Sequence, residues 1–423
     1  MPLQSPQSRE ATHWICCQVG AREHYAIPRA LHQKNQLLSL FTDTWLAPNS
    51  IAHRLPNRFL AKLFERYHPD LHDATVHSFT SMAIAFEIQK AMQKKSGWEL
   101  IVARDQWFQK QVIRRLNQLQ FSVPTKPVVF TYSYAGLEIL RCAKRKGWRT
   151  VLGQIDPGPI EEKLVAAEHE SWRHLYRADW HPAPKIYWER WFQECDIADS
   201  IIVNSSWSKS ALEAVGISKK KIHVIPLAYT PQESSEKALR SYPNAFSKSR
   251  PLKVLFLGQV ILRKGIAHVL EAAKQLQEKP IQFFIVGSIG IERAPEVEAL
   301  SNVVWLGSIP RSEVSKYYQL TDVFLFPTIS DGFGLTQLEA QSHNLPIIAS
   351  NKCGEVVKHR ENGLILPEIS CKMIVETLDR LLNSPEELTQ LSHSSENSNH
   401  FGLEQLYDHL NQLNLCPHLT TQS

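Results

Sequence analysis

Four residues, Lys264, Arg263, Asp331 and Glu339, carry the side chains that would hold a phosphorylated sugar. The stretch Asp322–Glu339 reads DVFLFPTISDGFGLTQLE. Its apolar run Val323–Phe326 ends at Pro327, a loop follows, and Gly332-Phe333-Gly334 opens a helical pattern. Glycines let backbone approach a ligand closely, and a helix start offers free N–H groups at a positive dipole end, so a diphosphate fits there. Asp331 precedes the glycines, and Glu339 follows it by eight residues, about one turn into the helix. Carboxylates accept from paired hydroxyls, which suits Glu339 to a ribose and Asp331 to a sugar. A second loop, Gly258-Gln259-Val260-Ile261-Leu262-Arg263-Lys264-Gly265, follows the apolar run Leu252–Leu257. It puts Lys264, with Arg263 beside it, where a diphosphate needs a cation. Taken singly, each feature also fits a tight turn or a solvated helix residue.

A nicotinamide cofactor is disfavoured. Its fingerprint wants a third glycine where Gln337 stands, and an acid about 20 positions on. The next apolar run leads instead into Ser350-Asn351-Lys352.

These loops must be held by strands and helices in alternation. Apolar runs predict strands over Trp14–Gln18, Leu100–Ala103, Val128–Thr131, Thr150–Gly153, Ser200–Asn204 and His223–Pro226 in the first half. In the second half they fall over Leu252–Leu257, Ile281–Val286, Val303–Leu306, Val323–Pro327, Pro346–Ala349 and Leu364–Leu366. Helical patterns lie between them, among others Ser133–Lys146, Ser206–Val215, Ile266–Gln277, Arg311–Leu320, Leu335–His343 and Ser370–Leu382. Such alternation predicts an α/β protein with parallel sheets covered on both faces. A polar, proline-containing stretch divides the chain into residues 1–229, a linker at 230–250, and residues 251–399. Residues 400–423 add a last helix, near Leu403–Leu413, expected to cross back to the first domain.

At 423 residues, two domains are expected. A hydrophobic fraction of 43% with 21% charged residues marks a globular chain. The net charge of +5 suits an anionic ligand or a loose membrane-surface contact, and no basic block argues for nucleic acid. The seven cysteines are scattered, without a C-x-x-C pair, which argues for a reducing compartment and against zinc or a disulfide framework. The N-terminal residues lack an apolar core of the secretory kind, and no run approaches the ~18 apolar residues of a membrane span. The expectation is a cytoplasmic chain, at most peripheral at the inner membrane surface.

The ordered motifs resemble the family 4 glycosyltransferases. That family carries E-G-F-G-L-x-x-L-E-A, and this chain has Asp331-Gly332-Phe333-Gly334-Leu335-Thr336-Gln337-Leu338-Glu339-Ala340. Gly258 to Gly265 matches its upstream glycine-to-lysine segment. FFIVGS at Phe283–Ser288, VVWLGSIP at Val303–Pro310, and CGEVV with NGLILP between Gly354 and Pro367 match as well, so the likeness spans about residues 250–415. The first half is similar more weakly, through QVGAREHYAIPRAL and ADSIIVNSSWSKSAL.

The resemblance implies a GT-B fold, two Rossmann-like domains facing across a cleft, and retaining transfer from a nucleoside diphosphate sugar to a glycan, lipid-linked or small-molecule acceptor. It implies no metal and no other cofactor. Lys264 and Arg263 would neutralise the leaving diphosphate, Glu339 would hold the ribose, and Asp331 would hold the sugar near its reacting carbon. Backbone N–H groups of Phe333, Gly334 and Leu335 would meet sugar hydroxyls and phosphate. Gly20, Gly258, Gln259, Gly287, Ile309 and Thr336 complete the implied donor site, and surface polysaccharide synthesis is the implied setting.

Three positions depart from the family. Asp331 replaces a glutamate and reaches less far by roughly 1.5 Å. Gln259 replaces a phosphate-binding arginine. Thr131-Tyr132-Ser133-Tyr134 lacks a histidine, so no catalytic base is named. The departures leave a non-catalytic nucleotide-sugar or glycan binder open as a second reading. A GT-B epimerase or phosphorylase is a third, for which no acid–base set or Schiff-base lysine is found. Weaker candidates are Arg22, His24 and Asp156 near the cleft, the tryptophans 172, 180, 188 and 191 as an acceptor platform, and the basic amphipathic stretch Arg58–Arg66 as a bilayer contact; each also fits plain surface or core roles.

Overall fold

The computed structural model describes residues 12–47, 66–173 without 122 and 124, 180–230, 240–393 and 401–413. Seven parallel strands form the first sheet: β1 Trp14–Gln18, β2 Leu37–Thr42, β3 Val76–Ser78, β4 Val128–Tyr132, β5 Arg149–Gly153, β6 Ser200–Val203 and β7 Ile222–Val224. Their spatial order is β3-β2-β1-β4-β5-β6-β7. Six parallel strands form the second: β8 Leu252–Leu257, β9 Ile281–Val286, β10 Val303–Gly307, β11 Val323–Phe326, β12 Ile347–Ser350 and β13 Gly363–Leu366, ordered β10-β9-β8-β11-β12-β13. Strands such as VFLF in β11 and WICC in β1 are buried along their whole length, because helices cover both faces of each sheet. In each sheet the order reverses beside the first strand, between β1 and β4 and between β8 and β11. Ligands bind outside the carboxyl ends of strands at such switch points.

Three segments differ from their sequence patterns. Leu100–Ala103 is not a strand; it lies inside the helix Gly97–Leu116. The core-facing residues of that helix are Phe108, Val112 and Leu116, a spacing of four, while Ile101 stays exposed. The strands β2 and β3 were not read from the sequence, because LLSLFT and the three-residue VHS carry little alternation. The helix expected from Ser133 begins at Leu137. There Glu194, distant in sequence, accepts the N–H groups of Tyr134, Gly136 and Leu137 at 2.7, 2.8 and 2.9 Å and caps it.

The described part of the 230–250 stretch is packed on the second sheet. Arg240 donates to the carbonyls of Tyr318 and His343, Arg250 pairs bidentately with Asp322, and Phe246 joins the core of the second domain. The helix Leu403–Gln412 lies on the other side of the molecule, against Ala26–Gln33. Its Leu406 and Leu410 are buried with Leu31 and Trp14 in the first domain's core, and Gln36 donates to Tyr407 Oη at 2.9 Å. Among the described residues no helix is long and apolar enough to cross a membrane.

Candidate active site in the interdomain cleft

Two glycine-opened strand ends shape the floor of the second domain. After β8, Gly258 has φ +145°, and after β9, Gly287 has φ +138°; a Cβ on Gly287 would stand 1.7 Å from the Gly258 carbonyl oxygen. The two backbones therefore touch in a way that only glycine permits. Gly265 has φ +77°, and a Cβ there would meet the Pro327 carbonyl at 2.0 Å. This contact clamps the Lys264 loop onto the end of β11, and the Ile329 N–H bonds the Arg263 carbonyl at 2.8 Å.

That clamp brings Lys264, Arg263 and Asp331 together. Lys264 Nζ donates to Asp331 Oδ2. Arg263 lies 3.6 Å from the same oxygen, 3.5 Å from Glu161 of the first domain, and donates to the Ser330 carbonyl at 3.0 Å. Burial pushes the Asp331 carboxyl up, but Lys264 and Arg263 outweigh it and hold it below the usual carboxylate range. Asp331 also accepts the Phe333 N–H at 3.3 Å. The Phe333 ring is core: it fills the space against Gly354 and Phe401.

The helix Leu335–Ser342 starts from Gly334, in the left-handed region at φ +85°, with no side chain capping it. Among the described residues its first-turn N–H groups, those of Leu335 and Thr336, have no side-chain cap and donate to no recorded acceptor. Gln337 is fully buried and donates to the Phe333 carbonyl at 2.8 Å, so it tightens the turn. On the next turn Tyr318 Oη donates to Glu339 Oε2 at 2.9 Å. Burial raises the Glu339 carboxyl, opposed by Tyr318 and Arg311. Ile309 packs into the same core layer, and Gln259 is exposed.

The first domain closes over this floor. A Cβ on Gly332 would stand 2.2 Å from the Ile155 carbonyl oxygen, so the glycine turn lies flat on the end of β5. Trp207 Nε1 donates to Ser330 Oγ at 3.0 Å, and Ser206 N donates to Glu355 at 2.8 Å. Glu161 is pushed up to about 8 by burial, against the pull of Arg263 and with Asp156 and Asp331 adding to the rise. Farther along the cleft, the Arg311 guanidinium lies 3.0 Å from the His24 ring. Burial, with Arg311 next, pushes His24 down to about 4. Gly20 is held at φ +75°, but its N–H is taken by Asp43 at 2.8 Å and Arg66 covers it.

A cavity of about 280 Å³ opens at the first sheet's switch point, lined among others by Gln18, Arg22, Asp105, Thr131, Ser133 and Asp156. Asp156 accepts from Tyr134 Oη at 2.6 Å and from Gly158 N at 2.8 Å, so it also shapes the turn it stands in. Trp188 and Trp191 pack within the first domain, Trp191 fully buried and bonded to Gln154. Residues 58–65 of the basic amphipathic stretch lie outside the described residues.

Sequence reading missed Glu161, Glu23, Asp105, Arg311 and Tyr318. Glu23 bonds Tyr132 Oη at 2.9 Å and burial pushes its carboxyl to about 7. It heads a run of three left-handed residues, Glu23, His24 and Tyr25, which no glycine or asparagine announces.

Residues 242–398 match the family model for glycosyl transferases group 1, and residues 93–233 match that for glycosyltransferase family 4. An uncharacterized 41.2 kDa protein in the cps region of Klebsiella pneumoniae is 29% identical over 204 residues, 47% of this chain and 56% of that protein. The capsular polysaccharide biosynthesis glycosyltransferase CapM of Staphylococcus aureus is 26% identical over 170 residues, 37% of this chain and 44% of its own. The chain thus spans about half the length of the curated relatives it matches. Anabaena Alr3699/HepE, solved in complex with UDP, shares the fold at a TM-score of 0.60 with 12% identity, over 95% of this chain and 98% of that one. With both halves matched and two parallel sheets facing across a cleft, the chain belongs to the family 4 glycosyltransferases and has the GT-B fold.

Proposed function

We propose that the protein transfers a sugar, with retention of anomeric configuration, from a nucleoside diphosphate sugar to a hydroxyl acceptor. One observation carries the reading: Lys264 and Arg263 converge on Asp331 beside uncapped helix N–H groups, at the switch point of the second sheet. In the free protein Asp331 neutralises Lys264. An arriving diphosphate takes over that cation, with Arg263 and the N–H groups of Leu335 and Thr336 holding the rest of its charge. Asp331 is then released to accept from the donor sugar's hydroxyls, and Glu339, oriented by Tyr318, accepts from the ribose. The developing charge on the leaving diphosphate meets donors that are already in place, so the step calls for no metal and no other cofactor. The acceptor enters from the cavity at β1 and β4 of the first domain. The UDP bound by Anabaena Alr3699/HepE supports a uridine donor, and the likeness to CapM, a capsular polysaccharide biosynthesis glycosyltransferase, supports a glycan-building role.

Calorimetry with UDP, GDP, ADP and their sugars tests the reading. Micromolar binding of one nucleotide sugar, followed by release of its nucleotide on addition of an acceptor, is the expected result. Binding without any release under a broad acceptor panel would favour the non-catalytic binder.

A further inference from the structure

The cavity of the first domain has a polar floor. Gln18, Thr131 and Ser133 are 1%, 1% and 3% exposed, and Gln18 Oε1, Thr131 Oγ1 and Ser133 Oγ line the cavity without a hydrogen-bond partner among the described residues. Three such atoms gathered at one cavity form a donor and acceptor set that a hydroxyl-rich ligand can complete. The charged lining of the same cavity is mixed, Arg22 and Arg104 with Asp105 and Asp156, and burial pushes the Asp105 carboxyl up to about 7, so no single sign dominates; this fits a neutral, hydroxyl-rich group such as a sugar.

Its lip is apolar. Tyr134 stacks on Tyr187 at 4.6 Å, and Tyr187 meets Trp98 at 4.8 Å, so aromatic rings run from the cavity wall to the start of the helix Gly97–Leu116. That helix and its predecessor, Thr80–Met92, form a hairpin joined by Arg104, a cavity residue, which pairs bidentately with Glu87 at 2.7 and 2.9 Å. Ile84, Ile88 and Met92, spaced by four, share one face of the helix Thr80–Met92. Five of the nine large apolar side chains exposed among the described residues belong to this hairpin: Met82, Ile84, Ile88, Met92 and Ile101. Met92 is 81% exposed and Ile88 57%. Single exposed apolar residues mean little, but a stripe such as Ile84, Ile88 and Met92, with Ile101 at the rim of the nearby cavity, marks a contact surface. Lys90 stands in the last turn of the helix Thr80–Met92, and Lys94 and Lys95 follow its end, Lys95 at 3.7 Å from Glu99. Apolar residues edged by lysines match an anionic lipid surface in both hydrophobicity and charge.

We propose that this hairpin docks on a lipid bilayer, and that the acceptor is a glycolipid in that bilayer whose sugar enters the cavity floored by Gln18, Thr131 and Ser133. The proposal rests on the transferase reading for its acceptor; the docking surface stands on its own.

The test is co-sedimentation of the full chain with phosphatidylcholine vesicles containing phosphatidylglycerol, beside calorimetry with UDP. The wild type pellets with the vesicles. Ile88→Asp with Met92→Asp lowers that partition at least tenfold and leaves UDP affinity and circular dichroism unchanged. Lys94→Glu with Lys95→Glu lowers binding to the anionic vesicles only. A glycoside acceptor bearing a long alkyl chain has a KM at least tenfold below that of its methyl counterpart, and the double aspartate variant removes the difference. Wild-type protein left in the supernatant would overturn the docking. So would a variant that pellets like the wild type, concentration-dependent dimerisation abolished by the aspartates, or a fall in melting temperature with unchanged pelleting, which would mean that the chain itself covers the face. Loss of UDP binding throughout, with vesicle binding intact, would sink the transferase reading and leave the docking standing.

Discussion

Lys264 and Asp331 are in contact in the free protein, and only one of them is expected to face the donor diphosphate. Their roles are therefore separable by a double-mutant cycle on UDP affinity. Lys264→Ala removes a charged contact to phosphate, about 1.5–3 kcal/mol. It also strips Asp331 of its nearest cation, leaving a buried carboxylate beside the incoming anion. Two unit charges at ~4 Å interact by about 4 kcal/mol at an effective dielectric of ~20, and Arg263, at 3.6 Å from Asp331, offsets part of that. The single variant should thus bind UDP roughly 30- to 1,000-fold more weakly, a loss of about 2–4 kcal/mol. Asp331→Asn keeps an oxygen for the Phe333 N–H and removes the repulsion. Added to Lys264→Ala it should restore at least about 1 kcal/mol, or about fivefold, whereas alone it should leave UDP affinity equal or tighter while turnover falls. Calorimetry on the four proteins reads the cycle directly. Additive effects, within about 0.5 kcal/mol, would show that the two side chains do not share one anion site and would refute the exchange of partners.

Further outcomes follow from the same geometry. Glu339→Gln should weaken UDP by about 10- to 100-fold through lost charge-assisted bonds to the ribose, and Tyr318→Phe by less; equal affinity in both would remove Glu339 from the donor site. Gly332→Ala places a Cβ against the Ile155 carbonyl, so it should hold the domains apart, enlarge the radius of gyration in solution scattering, and lower kcat more than UDP affinity. Glu161 has a folded-state pKa of about 8, raised by burial above the ordinary carboxylate value of 4.5, so the folded protein binds the extra proton and stability falls as pH rises between about 4.5 and 8. Glu161→Gln mimics the protonated form. Its urea midpoint should match wild type near pH 5 and exceed it near pH 8.5; a gap that widens toward acid instead would contradict the sign.

The second domain was the more legible half. Its strands are unbroken apolar runs, and its loops carry glycines whose positive φ and close contacts are local requirements, as at Gly258, Gly265 and Gly287. The first domain hides more. β2 and β3 are short or weakly patterned, and LIVA reads as a strand until the spacing of Phe108, Val112 and Leu116 is followed to the end of its helix. The residues that close the site, Glu161, Trp207, Arg311 and Tyr318, gain meaning only from partners far away in the chain. No local pattern marks a glutamate that will face Arg263 across a cleft. Gly20 illustrates the converse. Its backbone geometry was legible, while the engagement of its N–H by Asp43 was not.

The helix Leu403–Gln412 fills the core beside Ala26–Gln33, although the whole second sheet lies between them in sequence. During synthesis the ribosome releases β1 to β7 long before this helix exists. The strip around Leu31 must wait, uncovered, while the second domain emerges and folds. The first domain is therefore the earlier to be made and the later to be finished. A nascent chain stalled before residue 403 would carry a sticky seam that chaperones recognise, and final assembly would couple completion of translation to the docking of the two domains.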